Sequence, residues 1–335
     1  MVGRSKKPSA IPVPIPTPAP LVETSEDGSR VTATLPTGDS VEVLLYGATV
    51  ISWKTANGQE NLFVSSKAAL DGSKAVRGGI PVVFPIFGPP PKTGPLSALS
   101  QHGFARTTRW EFLGKSSVEA MSHPSPTSPS TAAADLSDTT SPSVKLDFGL
   151  SASMLKDEER KAFPYQFGLT YSVTLAAGSL ETVMHVQNQG ETAFGFQVLM
   201  HTYLKVSDIN QISLTGLSST SYIDKVLSST THTSSSTPLT LTSETDRIYT
   251  SVPADLSHPV TVHQGQTPIF EIIRDGLTDV VTWNPWEEKA KGIRDFGPEG
   301  GWREMVCVEP GEVSKGVTVE GGDAWEGGQV VRSLL

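Results

Sequence analysis

The sequence predicts an all-β fold, a large sandwich of two antiparallel sheets with few short helices. Short runs rich in β-branched and aromatic residues recur along the chain, and turn residues separate them at close spacing. The 30 Gly and 25 Pro residues leave little room for long helices.

Taken in order, Val31–Leu35 and Val41–Leu45 read as strands flanking a Pro-Thr-Gly-Asp turn. Thr107–Leu113 and Val144–Leu150 are strand-like. Met154–Phe163 alone looks helical, at barely three turns. Phe167–Leu175 and Leu180–Val186 form a hairpin around the Gly-containing Ala176–Ser179 connection. Further strands are expected at Phe196–Leu199, Val260–His263, Ile269–Ile273, Val280–Trp283, Met305–Val308 and Gly316–Val319. There is no internal repeat.

Three stretches stand outside this pattern. From Ser116 to Ser143, 21 of 28 residues are Ser, Thr, Pro or Ala. Such a segment buries too little surface to offset its ordering entropy, so a disordered insertion between two strands is expected. A weaker polar patch covers Ser228–Ser243. Met1–Pro20 starts basic and then alternates prolines where a signal peptide would carry an apolar helix. The expected organisation is a Pro-rich tail over 1–22 and a single domain over 23–335.

Hydrophobic residues make up 37%, a modest fraction that these polar segments explain locally. The net charge is −9 and the pI about 5.3. No basic stripe is visible, which excludes nucleic acid as a partner. The single cysteine, Cys307, excludes a disulfide framework and a Cys-rich zinc site. No apolar run approaches the roughly 18–20 residues that cross a bilayer, so a soluble cytoplasmic protein without membrane contact is expected.

Four polar clusters interrupt apolar or Gly-Pro-rich surroundings. In Val76-Arg77-Gly78-Gly79-Ile80-Pro81, an arginine precedes two glycines, where backbone can approach a ligand. A surface arginine at a turn is the plain alternative. Gln101-His102-Gly103-Phe104-Ala105-Arg106 packs three donors into six residues, although a capped turn would use them too. His201 breaks the apolar run Val198–Leu204; it is either a hydrogen-bonded core histidine or a group that moves protons near neutral pH. Glu309 ends the Met305–Val308 run before a Pro-Gly turn, where desolvation would raise its pKa toward that of a base. Trp283 and Trp286 could offer a sugar ring a flat face or simply fill the core. Asp246 is a carboxylate in a polar stretch.

Together, RGGIPVVFP at 77–85, QHGFAR at 101–106, HTYL at 201–204, DRIY at 246–249, WNPW at 283–286 and CVEPG at 307–311 resemble the hexose-6-phosphate mutarotases of the galactose-mutarotase-like superfamily. The blocks occur in family order. The resemblance implies that family's large β-sandwich and an isomerase that interconverts the α and β anomers of hexose 6-phosphates, chiefly glucose 6-phosphate, without a metal or cofactor. It implies His201 as the acid at the ring oxygen and Glu309 as the base at the anomeric hydroxyl. Arg77, Gln101, His102, Arg106 and Asp246 would bind the substrate, with the two arginines on its phosphate. The small-molecule substrate is the expected partner, and a monomer the expected state. The long insertion and Leu204, where the family often has an aromatic, depart from the pattern. Two other readings are an aldose 1-epimerase acting on free sugars, which would need no paired arginines, and a non-catalytic carbohydrate-binding sandwich, which would need no acid–base pair.

Overall fold

Strict alternation of apolar and polar side chains makes Ser143–Ser151 bury every second residue, as a strand with one covered face must. The computed structural model that places this strand describes residues 18–116 and 142–335. Ser143–Ser151 lies in a nine-stranded sheet that runs from Leu239–Thr240 through Ile212–Thr215, Val260–Gln264, Thr267–Asp275, Ala324–Ser333, Ser179–Asn188 and Phe167–Ala176 to Ser143–Ser151 and Glu111–Ser116. An eight-stranded sheet runs from Thr230–Thr233 through Ser221–Asp224, Thr245–Tyr249, Asp279–Asn284 and Met305–Val319 to Phe194–Met200 and Val82–Val83. Tyr203–Lys205 also pairs with Met305–Val319. A third, four-stranded meander joins Leu21–Thr24, Arg30–Thr34, Ser40–Leu44 and Thr49–Lys54. Side chains from all three sheets, among them Val41, Tyr171 and Val308, share one core. The all-β prediction is borne out, with a third sheet beside the two expected.

Alternation also decides where a site can form. Val280 and Val308 point into that core, whereas Val281 and its opposite neighbour Glu309 point to the other face. There Val83, Leu199, Ile248, Val281 and Val313 form a small separate apolar cluster. Glu309 therefore lies on the face of the eight-stranded sheet that carries this second cluster.

Several sequence expectations change. Met305–Val308 and Gly316–Val319 are parts of one strand, Met305–Val319. The chain does not turn at Pro310-Gly311, because neighbouring strands pair with it on both sides there. The irregularity falls later, between the pairs Val198↔Glu312 and Phe196↔Val317. Buried Asp279 holds that bulge by accepting from the backbone N–H groups of Val313 and Ser314 at 2.9 and 2.6 Å. The helix is shorter than expected, at Asp157–Ala162, and a second helix occupies Trp286–Gly292. The polar patch at 228–243 contributes the strands Thr230–Thr233 and Leu239–Thr240. Leu21 and Val22, assigned to the tail, begin a strand. Residues 1–17 and 117–141, which hold most of the expected tail and insertion, lie outside the described residues. The strands flanking the second gap are antiparallel neighbours, with Lys115 opposite Leu146.

The two glycines after Arg77 serve the protein backbone. Gly79 has φ +68, and a Cβ there would sit 2.0 Å from the Val50 carbonyl oxygen. That carbonyl accepts the Ile80 N–H at 2.9 Å, tying the segment to the meander. The close approach expected for a ligand is thus taken by the chain itself. Gly79→Ala combines left-handed strain of about 1–2 kcal/mol with that clash, so a loss of at least about 2 kcal/mol in urea-unfolding free energy is expected. Unchanged stability would show that the loop can relax away from the meander.

Candidate active site

Strand register assembles the site. Asp246 lies opposite Trp283, Trp283 opposite Cys307, and Cys307 opposite Tyr203. The neighbouring row holds Ile248, Val281 and Glu309. Opposed residues share a face, so one short patch of sheet gathers residues from four separate stretches of chain. His201 follows directly on Phe194–Met200 and is fixed by its backbone N–H donating to the Pro81 carbonyl at 3.0 Å. Its ring stacks on Tyr203 with centroids 4.6 Å apart and an 8° interplanar angle, and it meets Trp283 edge-on at 6.1 Å.

Nδ1 of His201 lies 3.2 Å from Glu309 Oε1. The two do not align as a hydrogen bond, and both Glu309 carboxylate oxygens are buried without a partner. Glu309 is 1% exposed and His201 9%. Burial, followed by the nearby Asp246 carboxylate, pushes the Glu309 carboxyl well above its ordinary pKa, against opposition from Lys225 and Cys307. Burial also pulls His201 well below its usual range, helped by His102, Arg106 and Arg77. Both shifts favour the uncharged forms, so one proton shared between acid and imidazole is the natural content of the pair.

A loop and two arginines wall the pair. Phe104 and Ala105 donate their backbone N–H groups to the Phe84 carbonyl at 3.0 and 3.2 Å. Phe84 in turn packs among Phe104, Phe163, Phe167 and Phe196. This aromatic cluster anchors the QHGFAR segment. His102 takes a left-handed backbone at φ +65, a conformation uncommon away from glycine and found where a site demands it. Its Nδ1 accepts from the Gly88 N–H at 3.2 Å, and its Nε2 lies 3.2 Å from the Gln101 amide nitrogen. Burial, then Arg106, Lys225 and Arg77, lowers the His102 pKa to about 3. The imidazoles of His102 and His201 are 6.0 Å apart.

The arginines differ in what holds them. Arg77 pairs with Asp295 at 3.3 Å and donates to the Tyr203 hydroxyl at 3.3 Å. Burial would lower its pKa, but Tyr203 and Asp295 outweigh burial and raise it. Arg106 donates to the Gln101 carbonyl at 2.8 Å, its Nε is buried without a partner, and among the described residues no carboxylate pairs with it. Burial, reinforced by Arg77, lowers it to about 10. The site thus holds one guanidinium already neutralised and one still lacking an anion.

All seven residues singled out in the sequence converge here: His201, Glu309, Arg77, Gln101, His102, Arg106 and Asp246. Four contributors were not assigned. Tyr203 links Arg77 to His201, Asp295 orients Arg77, Trp283 walls the pair, and Lys225 binds Asp246 at 3.0 Å while covering the Phe87 ring. Tyr203 lay within the HTYL block. Lys225 and Asp295 carry no local signal, because only sheet register and a 218-residue loop closure bring them in. The aromatic pair divides, since Trp286 packs at a tilt against Trp302, with centroids 4.5 Å apart, while Trp283 alone enters the site.

The family model described as aldose 1-epimerase matches residues 29–131 and 136–332. A relative from Cenchrus ciliaris, named "Putative glucose-6-phosphate 1-epimerase", is 32% identical over 312 residues, which span 92% of this chain and 86% of its own. A protein of the same name from Escherichia coli (strain K12) is 30% identical over 271 residues, covering 81% of this chain and 79% of its own. Among solved structures, a "putative mutarotase" from Salmonella typhimurium superposes with a TM-score of 0.73 at 22% identity, over 96% of this chain and 95% of that one. A galactose mutarotase-like protein from Clostridium acetobutylicum gives 0.64 at 13% identity, over 94% and 98%. At such identities these two likenesses concern the fold.

Burial of His102 ties stability to pH. The unfolded ring protonates near pH 6.5 and the folded one only near 3, so the unfolded state binds more protons between them and stability falls as pH drops below about 6.5. His102→Asn keeps a residue that tolerates the left-handed backbone and removes the titration. Between pH 6.5 and 5 the unmodified protein should lose about 1–2 kcal/mol more unfolding free energy than this variant. Parallel stability curves from urea titrations would show that His102 protonates freely in the fold.

Proposed function

This chain belongs to the aldose 1-epimerase family, and we propose that it interconverts the α and β anomers of hexose 6-phosphates, chiefly glucose 6-phosphate. The observation that carries this reading is the buried His201–Glu309 contact at 3.2 Å, in the field of a guanidinium without an anion among the described residues. Anomer exchange requires a hemiacetal to open: a proton leaves the C1 hydroxyl while another arrives at the ring oxygen. Glu309 as carboxylate takes the first, and His201, protonated, gives the second through Nε2, the nitrogen turned away from Glu309. The open aldehyde rotates about one bond. Ring closure then reverses both transfers, so the pair ends with the proton it began with. No other proton store is needed, and each group contributes roughly 10²–10⁴-fold.

Substrate charge fits the same scheme. A phosphate dianion beside Arg106 supplies the counter-ion that the protein withholds, through charge-assisted hydrogen bonds. It also offsets the field of Arg106 and Arg77, two of the groups that depress His201. Binding the phosphate therefore makes the imidazole easier to protonate, as its role as acid requires. Arg77, fixed by Asp295 and Tyr203, presents its remaining donors to the same ligand. The names carried by the Cenchrus and Escherichia relatives support this choice of substrate.

NMR exchange spectroscopy on glucose 6-phosphate tests the reaction. His201→Ala and Glu309→Gln should each slow anomer exchange by about 10²-fold or more without unfolding the protein; near-full activity in either would overturn the acid–base assignment. Phosphate reading is tested separately. Arg106→Ala should cost about tenfold to hundredfold in kcat/KM for glucose 6-phosphate, the equivalent of roughly 1.5–3 kcal/mol, with a much smaller loss on glucose. Equal losses on the two sugars would mean that Arg106 shapes the pocket and does not read the phosphate.

A further inference from the structure

Beside the proposed acid and base lies a third donor that the reaction does not use. Cys307 is wholly buried, is the only cysteine of the chain, and sits two residues before Glu309 on the same strand, hence on the same face. Its Sγ is 3.9 Å from His201 Nδ1. Ligand atoms of His201, Cys307 and Glu309 all lie within 4.8 Å of one another.

We propose that His201, Cys307 and Glu309 form a three-donor site for a thiophilic divalent cation of the zinc type, and that the cation shuts the site down by engaging its acid and base. Tetrahedral Zn²⁺ has bonds of about 2.0–2.1 Å to nitrogen and oxygen and 2.3 Å to sulfur, which place N and O about 3.3 Å apart and N and S about 3.6 Å apart. The observed separations are 3.2 and 3.9 Å. Small rotations of the Cys307 and Glu309 side chains complete the set. Among the described residues neither carboxylate oxygen has a hydrogen-bond partner, so both are open to a cation. Three protein ligands leave a fourth position for water or a sugar hydroxyl. On binding, the thiol proton leaves to solvent and the sulfur donates its lone pair to the metal. The mixed N, S, O set selects Zn²⁺, Co²⁺ or Cu²⁺ over Mg²⁺ and Ca²⁺, which seek oxygen ligands and find only one carboxylate.

Cobalt reads this ligand set without reference to any activity, so its result stands apart from that of the proposed reaction. Titrating the full chain with CoCl₂ should produce a thiolate-to-cobalt charge-transfer band that saturates at one equivalent and disappears on adding ZnCl₂. Because the chain has one cysteine, such a band can arise only at Cys307. Cys307→Ser should lose it, and Glu309→Gln, which keeps the thiol and the shape, should weaken cobalt binding at least about tenfold, as losing a ligand must if lesser second-shell changes already cost 10–100-fold. In the exchange assay, ZnCl₂ should inhibit competitively with glucose 6-phosphate and EDTA should restore the rate, while MgCl₂ has no effect. Absence of the band at saturating cobalt, or a band of unchanged affinity in Glu309→Gln, would overturn the proposal. So would zinc inhibition of equal strength in folded Cys307→Ser.

Discussion

A carboxyl group buried without a hydrogen bond sets the terms for everything around it. Keeping Glu309 ionised in that environment costs several kcal/mol unless opposite charge or a proton compensates. The fold supplies both. The His201 ring lies against the carboxyl, and Lys225 reaches in from the outer hairpin, itself held by Asp246. Arg77 and Arg106 bring further positive charge, but among the described residues only Arg77 has its own carboxylate. The balance favours neutral forms at rest, and an arriving anion shifts it toward the charged pair. The energy of an imperfectly satisfied site is thereby released when a ligand completes it.

Holding such a site together requires rigid supports. Glu309 and Cys307 belong to the longest strand of the described residues, which has partners on both sides. His201 is fixed where its own strand ends, by a backbone bond to Pro81. The loop with Gln101, His102 and Arg106 has no regular sheet pairing, so the aromatic cluster around Phe84 and two backbone bonds hold it instead. The left-handed backbone at His102 is the local cost of aiming an imidazole into the site from a loop. Closely packed glycines at Gly79 and Gly103 let that loop and the Arg77 segment lie directly against neighbouring backbone.

The corrections share one cause. A Pro-Gly pair marks a turn when the chain is free to choose, yet strands on either side of Pro310 and Gly311 keep it extended. Glycines after an arginine suggested access for a ligand, and tertiary packing used that access for the chain itself. A weaker polar patch stood outside the strand pattern, but it adds hydrogen bonds to two sheets through Thr230–Thr233 and Leu239–Thr240. In each case long-range pairing overrode a local preference worth only about 1 kcal/mol.

Local order was what the sequence determined by itself: short β-branched and aromatic runs set off by turn residues pointed to the all-β class, and ordered motif blocks named seven residues that the fold brings to one candidate site. These features are legible because each depends on neighbours within a few positions. Only the tertiary structure decided that the polar blocks meet on one face of the eight-stranded sheet, with Glu309 bare of hydrogen bonds. It alone distinguished Arg77, neutralised by Asp295 from 218 residues away, from Arg106, which has no such partner among the described residues. Burial and pairing between distant residues set protonation and charge, and no local pattern encodes the strand register that creates them.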